Sequence, residues 1–145
     1  HIRRLIKPVM QTLLIAGLLA TLLGSGLARL FGASEDMLRT LLTKSVTSPF
    51  SILLASEVGG IPALAAIFSI ITGIIGAILG PDLLRIAGVT HPAARGMAFG
   101  LTSHAVGTAT AIREGEQCGA FSALAMSLIG LFTAVLLPIA VAILS

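Results

Sequence analysis

Three long apolar runs dominate the sequence, and two more polar segments separate them. The runs cover about Pro8–Phe31, Gly59–Gly80 and Gly119–Leu144. Crossing about 30 Å of hydrocarbon takes roughly 20 helical residues, so each run is long enough for one transmembrane helix. Glycine and proline bound the second run at both ends, which predicts that its helix stops at Gly80.

The two polar segments, about Ser34–Val58 and His91–Gln117, each predict an interrupted helix. Ser34 is suited to an N-cap, and Pro92 to the first position of a helix. Each segment then shows about nine helical residues, a break and about nine more. Nine residues rise about 14 Å, roughly half a bilayer, so each break lies near the midplane whether the segment crosses or re-enters.

Composition supports a membrane protein. The 145 residues are 56% hydrophobic and 10% charged, with a mean hydropathy of +1.06, whereas soluble domains carry about 25% charge. We therefore predict an all-α polytopic integral membrane protein, residues 1–145 forming one transmembrane domain with about three full spans and two broken or re-entrant segments. The alternative is a buried subunit of a large soluble complex. The net charge of +3 does not suggest a nucleic-acid partner.

The distribution of basic residues bears on topology. If the N-terminus is cytoplasmic and both broken segments re-enter, Arg29, Arg39 and Lys44 lie outside, and the inner side holds Arg3, Arg4, Lys7, Arg85, Arg95 and Arg113. This satisfies the positive-inside rule, whereas two crossing segments weaken the bias. We expect a multi-pass protein of the plasma (inner) membrane and favour the re-entrant topology, with the crossing topology as the alternative.

The polar segments resemble each other and suggest repeats over residues 34–80 and 91–144. The match pairs residues 47–49 with 102–104, and residues 63–65 with 123–125. Its offset drifts from 55 to 60, so chance similarity between two Ala/Leu/Ser-rich stretches is the alternative. Re-entrant segments would make the repeats inverted.

Each break predicts a helix that starts inside the membrane. Ser48 followed by Pro49 fits an N-cap and a first helical residue, and Ser103 followed by His104 fits the same arrangement. No Glu or Gln lies three positions after either serine to close a capping box. The free N–H groups and the positive dipole ends can then bind a small anion, typically a carboxylate, as in transporters with broken helices.

These arguments select candidate substrate-binding residues, namely Ser45, Thr47, Ser48, Pro49, Thr102, Ser103, His104, Gly107 and Thr108. His104 is also a candidate for coupling or gating, as are Glu57 and Arg113. The alternatives are that the hydroxyls bond back to their own helices, that Pro49 only kinks its helix, and that His104 is a neutral packing residue. Glu57 and Arg113 also fit interfacial positions.

Two rows of small residues in the second run predict close helix packing and no chemistry; they are Ser69, Gly73 and Ala77, and Thr72, Gly76 and Gly80. An enzyme is not expected. Adjacent helical residues point about 100° apart, so His104 is badly placed to act as a base for Ser103. No clustered metal ligands occur, and no cofactor is expected.

Five motifs carry a family resemblance: KSVTSPFS, SEVGGIPAL, ITGIIGAILGP, HPAARGMAFGLTSHAVGTATA and EGEQCGAFSALAMSL. From about Lys44 to Leu137 the sequence resembles the LrgB/CidB family of antiholin-like membrane proteins. Family members are usually longer at the N-terminus, so the chain looks like the C-terminal portion of such a protein.

The resemblance implies two functions. One is a carrier of small monocarboxylates such as glycolate, glycerate or pyruvate, as in the plastid glycolate/glycerate transporter, and the predicted anion site favours it. The other is an antiholin-like regulator of murein hydrolase export and cell lysis, acting with a holin-like partner of the LrgA/CidA type. Besides this partner, we expect the lipid bilayer and a homo-oligomer.

Overall fold

The computed structural model describes residues 2–144, and the side chains of residues 7–143; the side chains of Arg3 and Arg4, used in the charge count, lie outside this part. All the regular secondary structure of the described chain is α-helical, which confirms the predicted all-α class. Its helices are α1 (Ile2–Leu30), α2 (Glu35–Leu42), α3 (Ser48–Val58), α4 (Pro62–Ile86), α5 (Pro92–Glu114) and α6 (Glu116–Leu144). Residue 104 interrupts α5, and we call its halves α5a (92–103) and α5b (105–114).

The three predicted spans correspond to α1, α4 and α6, which are long and apolar enough to cross a membrane. The predicted stop at Gly80 is wrong, because α4 continues through Pro81 to Ile86. A proline inside a helix removes one backbone hydrogen bond, and transmembrane helices tolerate this where neighbours compensate. The end is set instead by Gly88 at φ 69°, which allows the left-handed turn that closes a helix.

Helix α5 folds back on itself. Arg95 Nε lies 2.6 Å from Glu114 Oε2, although 19 positions separate the two residues. In a straight helix they would lie about 28 Å apart. Gly107 of α5b also lies so close to Phe99 of α5a that a Cβ would approach its carbonyl oxygen to 2.7 Å. The two halves therefore form an antiparallel hairpin, hairpin 2, with its tip at His104.

Helices α2 and α3 form a matching hairpin, hairpin 1, with its tip at residues 43–47. The guanidinium of Arg39 donates to the Val58 carbonyl at 3.0 Å, again across 19 positions. Thr40 Oγ1 accepts from the Ile61 amide at 2.8 Å. Both polar segments thus return to the end at which they begin, which is the re-entrant arrangement and not two crossings.

The hairpins approach α4 from its opposite ends. Ser69 donates to the carbonyl of Val46 at the tip of hairpin 1. One turn further along α4, a Cβ on Gly73 would lie 3.2 Å from the Ser103 carbonyl oxygen, at the tip of hairpin 2. Since Gly73 is near the centre of α4, both tips lie in the middle of the bundle. The rows of small residues in α4 therefore serve packing, as predicted.

The two hairpins share their local geometry at a constant offset. The turn after α1 makes backbone hydrogen bonds 31→27, 32→29 and 33→28, and the turn after α4 makes 87→83, 88→85 and 89→84. Each bond lies 56 positions from its counterpart. The same offset relates three pairs of residues, namely Gly32 with Gly88, Arg39 with Arg95, and Gly59 with Gly115.

Candidate functional site

The backbone at the tip of hairpin 2 is strained. His104 has φ 48° and ψ −127°, and no other non-glycine residue in the described chain has a positive φ. This region is normally reserved for glycine and costs about 1–3 kcal/mol for other residues. Thr108 Oγ1 donates to the His104 carbonyl at 2.7 Å and lies 2.8 Å from Ser122 Oγ of α6. These contacts hold the strained turn against α6.

The imidazole of His104 is buried yet not fully hydrogen-bonded. It is 3% exposed, and its Nε2 has no hydrogen-bond partner, whereas every other buried side-chain nitrogen or oxygen in the described part has one. The ring is hydrogen-bonded to the backbone of Ser45. The tips of the two hairpins therefore touch each other, and Nε2 is left available for a further group.

A network of hydroxyls holds the tip of hairpin 1. Thr43 Oγ1 and Ser51 Oγ lie 2.9 Å apart, and Ser51 Oγ also donates to the Ala65 carbonyl of α4 at 3.1 Å. Both hydroxyl residues are fully buried. Neither was among the predicted site residues, although both lie in the predicted polar segment. The sequence did not show that they would face α4.

The predicted helix starts need two corrections. Helix α3 begins at Ser48, so its N-cap is Thr47, whose side chain makes no capping hydrogen bond. Pro49 is accommodated at the second helical position because first-turn amides have no helical acceptor. In hairpin 2, Ser103 ends α5a and His104 itself forms the break. At the offset of 56 positions, Ser48 matches His104 and not Ser103.

The remaining predicted residues take different places. Thr102 is exposed and donates to the Ala98 carbonyl of its own helix at 2.7 Å. This agrees with the alternative prediction that the hydroxyls bond back to their own helices. Gly107 packs between the halves of hairpin 2. Glu57 and Arg113 are exposed and lie near the ends of α3 and α5b, away from the tips. Ser45, Thr47 and Ser48 lie at the tip of hairpin 1, with Pro49 exposed beside them.

The structure places Lys44 in the tip of hairpin 1, and the prediction that it lies on the outer surface is wrong. A Cβ on Gly24 of α1 would lie 2.6 Å from Lys44 Cε, so the lysine side chain passes along α1. Lys44 Nζ lies 3.5 Å from Ser45 Oγ, and the backbone of Ser45 is hydrogen-bonded to the His104 ring. The positive-inside argument treated the residues at the tip of hairpin 1 as an exposed loop. It misplaced Lys44 because the central residues of a re-entrant segment lie inside the bundle.

Arginines lie at the open ends of both hairpins. Arg29 and Arg39 line a groove at the open end of hairpin 1, and Arg85 and Arg95 line one at the open end of hairpin 2. The Arg95 guanidinium, hydrogen-bonded to Glu114, lowers the pKa of that carboxyl group. The open end of hairpin 2 is therefore closed by a charged pair at neutral pH.

These elements form a candidate anion site. Helices α3 and α5b both start at the tips and run outward, so the positive ends of their dipoles lie inside the bundle. His104 Nε2 and the Lys44 ammonium group lie beside them. Within the described part, no three metal-ligating side chains lie together. The chemistry available at the tips is electrostatic and hydrogen-bonded recognition of a small anion.

Comparison with known proteins gives uncharacterized and holin-like relatives. An "Uncharacterized protein" of Haemophilus influenzae is 36% identical over 95% of this chain and 60% of its own length. The "Holin-like protein CidB" of Staphylococcus epidermidis is 41% identical over 77% of the chain, and that of Staphylococcus aureus 40% over 75%; each match covers 48% of the relative. No solved structure matches the chain.

The chain thus spans about half the length of the curated relatives it matches. The holin-like names agree better with the antiholin-like alternative than with a carrier. The family model described as "LrgB-like family" matches residues 1–143. Together with the apolar helices, this match shows that the chain is a multi-pass membrane protein that belongs to the LrgB-like family.

Proposed function

We propose that this chain forms the substrate-binding part of a membrane carrier for small monocarboxylates such as glycolate, glycerate or pyruvate. The observation that carries the proposal is the unpartnered Nε2 of the buried His104 at the point where the two hairpin tips touch. An unsatisfied buried polar atom costs about 1–3 kcal/mol. Because the other ring nitrogen donates to the Ser45 backbone, Nε2 of the neutral ring is an acceptor, and the hydroxyl group of a bound glycolate or glycerate would remove that cost.

The strained backbone supports the same proposal. A glycine at position 104 would adopt the observed φ of 48° without the cost that histidine bears. Strain retained at one residue points to a function for its side chain. The helix starts beside it supply further donors that suit an anion, and Arg29 and Arg39 at the open end of hairpin 1 would attract anions from that side of the membrane.

The constant offset of 56 positions supports an inverted repeat. Each unit consists of a long helix, a re-entrant hairpin and the start of the next long helix, and α4 lies between the two hairpins. Carriers built this way bind substrate at the interface of their repeats, near the midplane. We propose that the two hairpins are such copies and that the N-terminus is cytoplasmic in the inner membrane.

Uptake of labelled glycolate and pyruvate by proteoliposomes tests the carrier. The full-length protein is reconstituted with and without its holin-like partner. His104→Ala, Ser48→Ala and Ser103→Ala should lower uptake, whereas Ser56→Ala, which removes an exposed hydroxyl bonded to its own helix, should leave it unchanged. Uptake no higher than that of empty vesicles under every gradient tried would reject the carrier.

His104→Gly separates folding from function. Because glycine relieves the positive φ, this variant should be about 1 kcal/mol more stable than His104→Ala, yet both should lose uptake. Unchanged uptake by His104→Gly would show that the imidazole is not part of the proposed site. The comparison prevents a loss of fold from being mistaken for a loss of binding.

The second candidate function is an antiholin-like regulator of murein hydrolase export and cell lysis, in a complex with a holin-like protein. It is favoured by the names of the Staphylococcus relatives, which are called holin-like. A variant without uptake decides between the two. If His104→Gly still controls lysis in cells that lack the native protein, regulation does not require transport. If the variant loses both uptake and lysis control, regulation requires transport.

The proposed assembly includes further copies of the chain. Large aliphatic side chains of α1, α4 and α6 are exposed, among them Leu22 at 64% and Ile78 at 67%. In a membrane these faces would contact lipid, the holin-like partner or a second copy. Cross-linking in native membranes followed by mass determination distinguishes a homo-oligomer from a complex with the partner.

A further inference from the structure

A groove of about 640 Å³ opens beside hairpin 1, between α2 and the C-terminal parts of α1 and α6. The charged side chains that line it are Arg29, Glu35 and Arg39. Arg29 is one residue before the end of α1 and Glu35 begins α2, while the Arg39 guanidinium reaches the Val58 carbonyl at the end of α3. The charged groups of the groove therefore lie at the open end of the hairpin.

The groove becomes apolar with depth. On α1, Leu22 lines it seven residues before Arg29, and on α2, Leu42 lines it seven residues after Glu35. Seven residues return to the same face of a helix, about 10 Å further along it. Between these levels a Cβ on Gly26 would have nothing within 4 Å. The groove is thus open, with a charged outer end and an aliphatic inner end.

The arginines of this groove have no carboxylate partner. Both ion pairs among the described side chains lie on the side of hairpin 2, so neither Arg29 nor Arg39 belongs to one. Glu35 contributes a single negative charge, and the lining of the groove carries +1 in total. One monovalent anionic group would therefore neutralise it.

The groove at hairpin 2 has the matching arginines together with their counter-ions. At the offset of 56 positions its arginines are Arg85 and Arg95, and each pairs with a carboxylate. The positions that match these two carboxylates hold Gly26 and Val58, neither of which carries a charge. The groove at hairpin 1 thus keeps both positive charges of its counterpart and lacks both carboxylates that pair with them.

We infer that the groove at hairpin 1 binds an anionic phospholipid. The phosphate contacts Arg29 and Arg39, as in basic pockets between transmembrane helices that bind anionic headgroups. One acyl chain lies along Leu22 and Leu42 towards the membrane interior. The single charge of a phosphodiester balances the groove, whereas a zwitterionic lipid adds no net charge and leaves it positive.

The volume and the apolar inner end decide against a small acid as the bound ligand. The arginines attract any anion, but an acid of two or three carbons would leave most of the groove empty, since volumes of about 300–1,000 Å³ suit drug-sized ligands. Such an acid also has no chain to cover the leucines. The inference goes beyond the proposed function, because it holds for a carrier and for a regulator alike.

Native mass spectrometry of the full-length protein in detergent measures lipid binding directly. Phosphatidylglycerol is the anionic probe and phosphatidylethanolamine the zwitterionic one, and we expect the first to bind more tightly. Arg29→Gln should weaken phosphatidylglycerol binding about five-fold, the usual contribution of one basic residue at an anionic surface. Arg85→Gln is the matched control, because Arg85 already has a carboxylate partner, and it should leave binding unchanged.

A second pair of variants keeps both arginines. Gly26→Asp places a carboxylate three residues before Arg29, the spacing at which Asp82 pairs with Arg85, and should weaken binding at least as much as Arg29→Gln. Gly26→Asn adds a side chain of the same size without the charge and should bind more tightly than Gly26→Asp. This comparison separates the charge of the groove from its shape.

Equal binding of the two lipids by the wild type would overturn the inference. So would equal binding by Arg29→Gln and Arg85→Gln, or by Gly26→Asp and Gly26→Asn. Displacement of bound phosphatidylglycerol by glycolate would assign the groove to the substrate and would also overturn it. Lipid binding that depends on Arg29, in a protein without glycolate uptake, would keep the inference and reject only the carrier.

Discussion

The charged pair that closes hairpin 2 gives the sharpest prediction for folding. Arg95 binds both oxygens of Glu114, through Nε at 2.6 Å and Nη2 at 2.7 Å. The two side chains are only 17% and 23% exposed. Glu114→Gln keeps the shape of the side chain but removes its charge, so it tests the pair with little change in packing.

We expect Glu114→Gln to lower the free energy of unfolding by about 1–2 kcal/mol. A hydrogen bond to a charged group contributes about 1.5–3 kcal/mol, and partial access to water reduces that value towards the range of about 0–1 kcal/mol for surface pairs. Asp82 and Arg85 form a comparison pair with side chains 64% and 77% exposed. Asp82→Asn should therefore cost only a few tenths of a kcal/mol.

The effect should depend on pH. Hydrogen bonding from Arg95 lowers the pKa of Glu114 in the folded protein. A lowered folded pKa means that the pair stabilises the fold fully above the unfolded pKa of about 4.3. That contribution is lost as the pH falls through the folded pKa. The difference between the wild type and Glu114→Gln should therefore shrink below about pH 4.

A double-mutant cycle measures the pair directly. The free energy of unfolding in detergent micelles, followed by circular dichroism, is compared for Arg95→Gln, Glu114→Gln and the double variant. We expect a coupling of at least about 1 kcal/mol. In an unbroken α5 the two residues would lie about 28 Å apart and could not couple, so a coupling near zero would refute the hairpin.

Two further predictions concern packing at the hairpins. Gly100→Ala would bring a Cβ within 2.2 Å of the Ser122 carbonyl oxygen and should destabilise the fold by about 1–3 kcal/mol. The control Gly26→Ala, whose Cβ would have nothing within 4 Å, should be neutral or slightly stabilising. Equal effects of the two variants in thermal unfolding would contradict the packing of hairpin 2 on α6. Ser51→Ala removes a buried hydroxyl with two partners and should cost about 1–2 kcal/mol. Ser56→Ala should cost less than about 0.5 kcal/mol, and a Ser51 variant as stable as this control in the same assay would count against the network at hairpin 1.

The main elements were predictable from the sequence because their signals are local. Three runs of about 20 or more apolar residues define the spans, and Ser34 caps α2 with its side chain as predicted, at 3.4 Å from the Met37 amide. Pro92 also begins α5 as predicted. The polar residues at positions 43–51 and 102–108 showed where the helices break. Each of these features depends on neighbouring residues alone.

The site was predicted less well because it depends on contacts between distant segments. The ion pair of Arg95 and Glu114 makes α5 a hairpin, and neither residue alone predicts a fold-back. Lys44 was assigned to the surface because its depth follows from that topology. Ser103 is in the helix before the break, where its side chain packs against Gly76 of α4, a contact that spacing along the chain does not reveal.

The account depends most on two re-entrant hairpins that start from opposite sides of the membrane. Single cysteines replace Phe31 and Ile61, which flank hairpin 1, and Thr90 and Glu116, which flank hairpin 2, in a background in which Cys118 is alanine. The four variants are labelled in sealed vesicles with a thiol reagent that does not cross the membrane. The account predicts that positions 31 and 61 react from one side, and positions 90 and 116 from the other. Labelling of 31 and 61 from opposite sides, or of 90 and 116 from opposite sides, would contradict it.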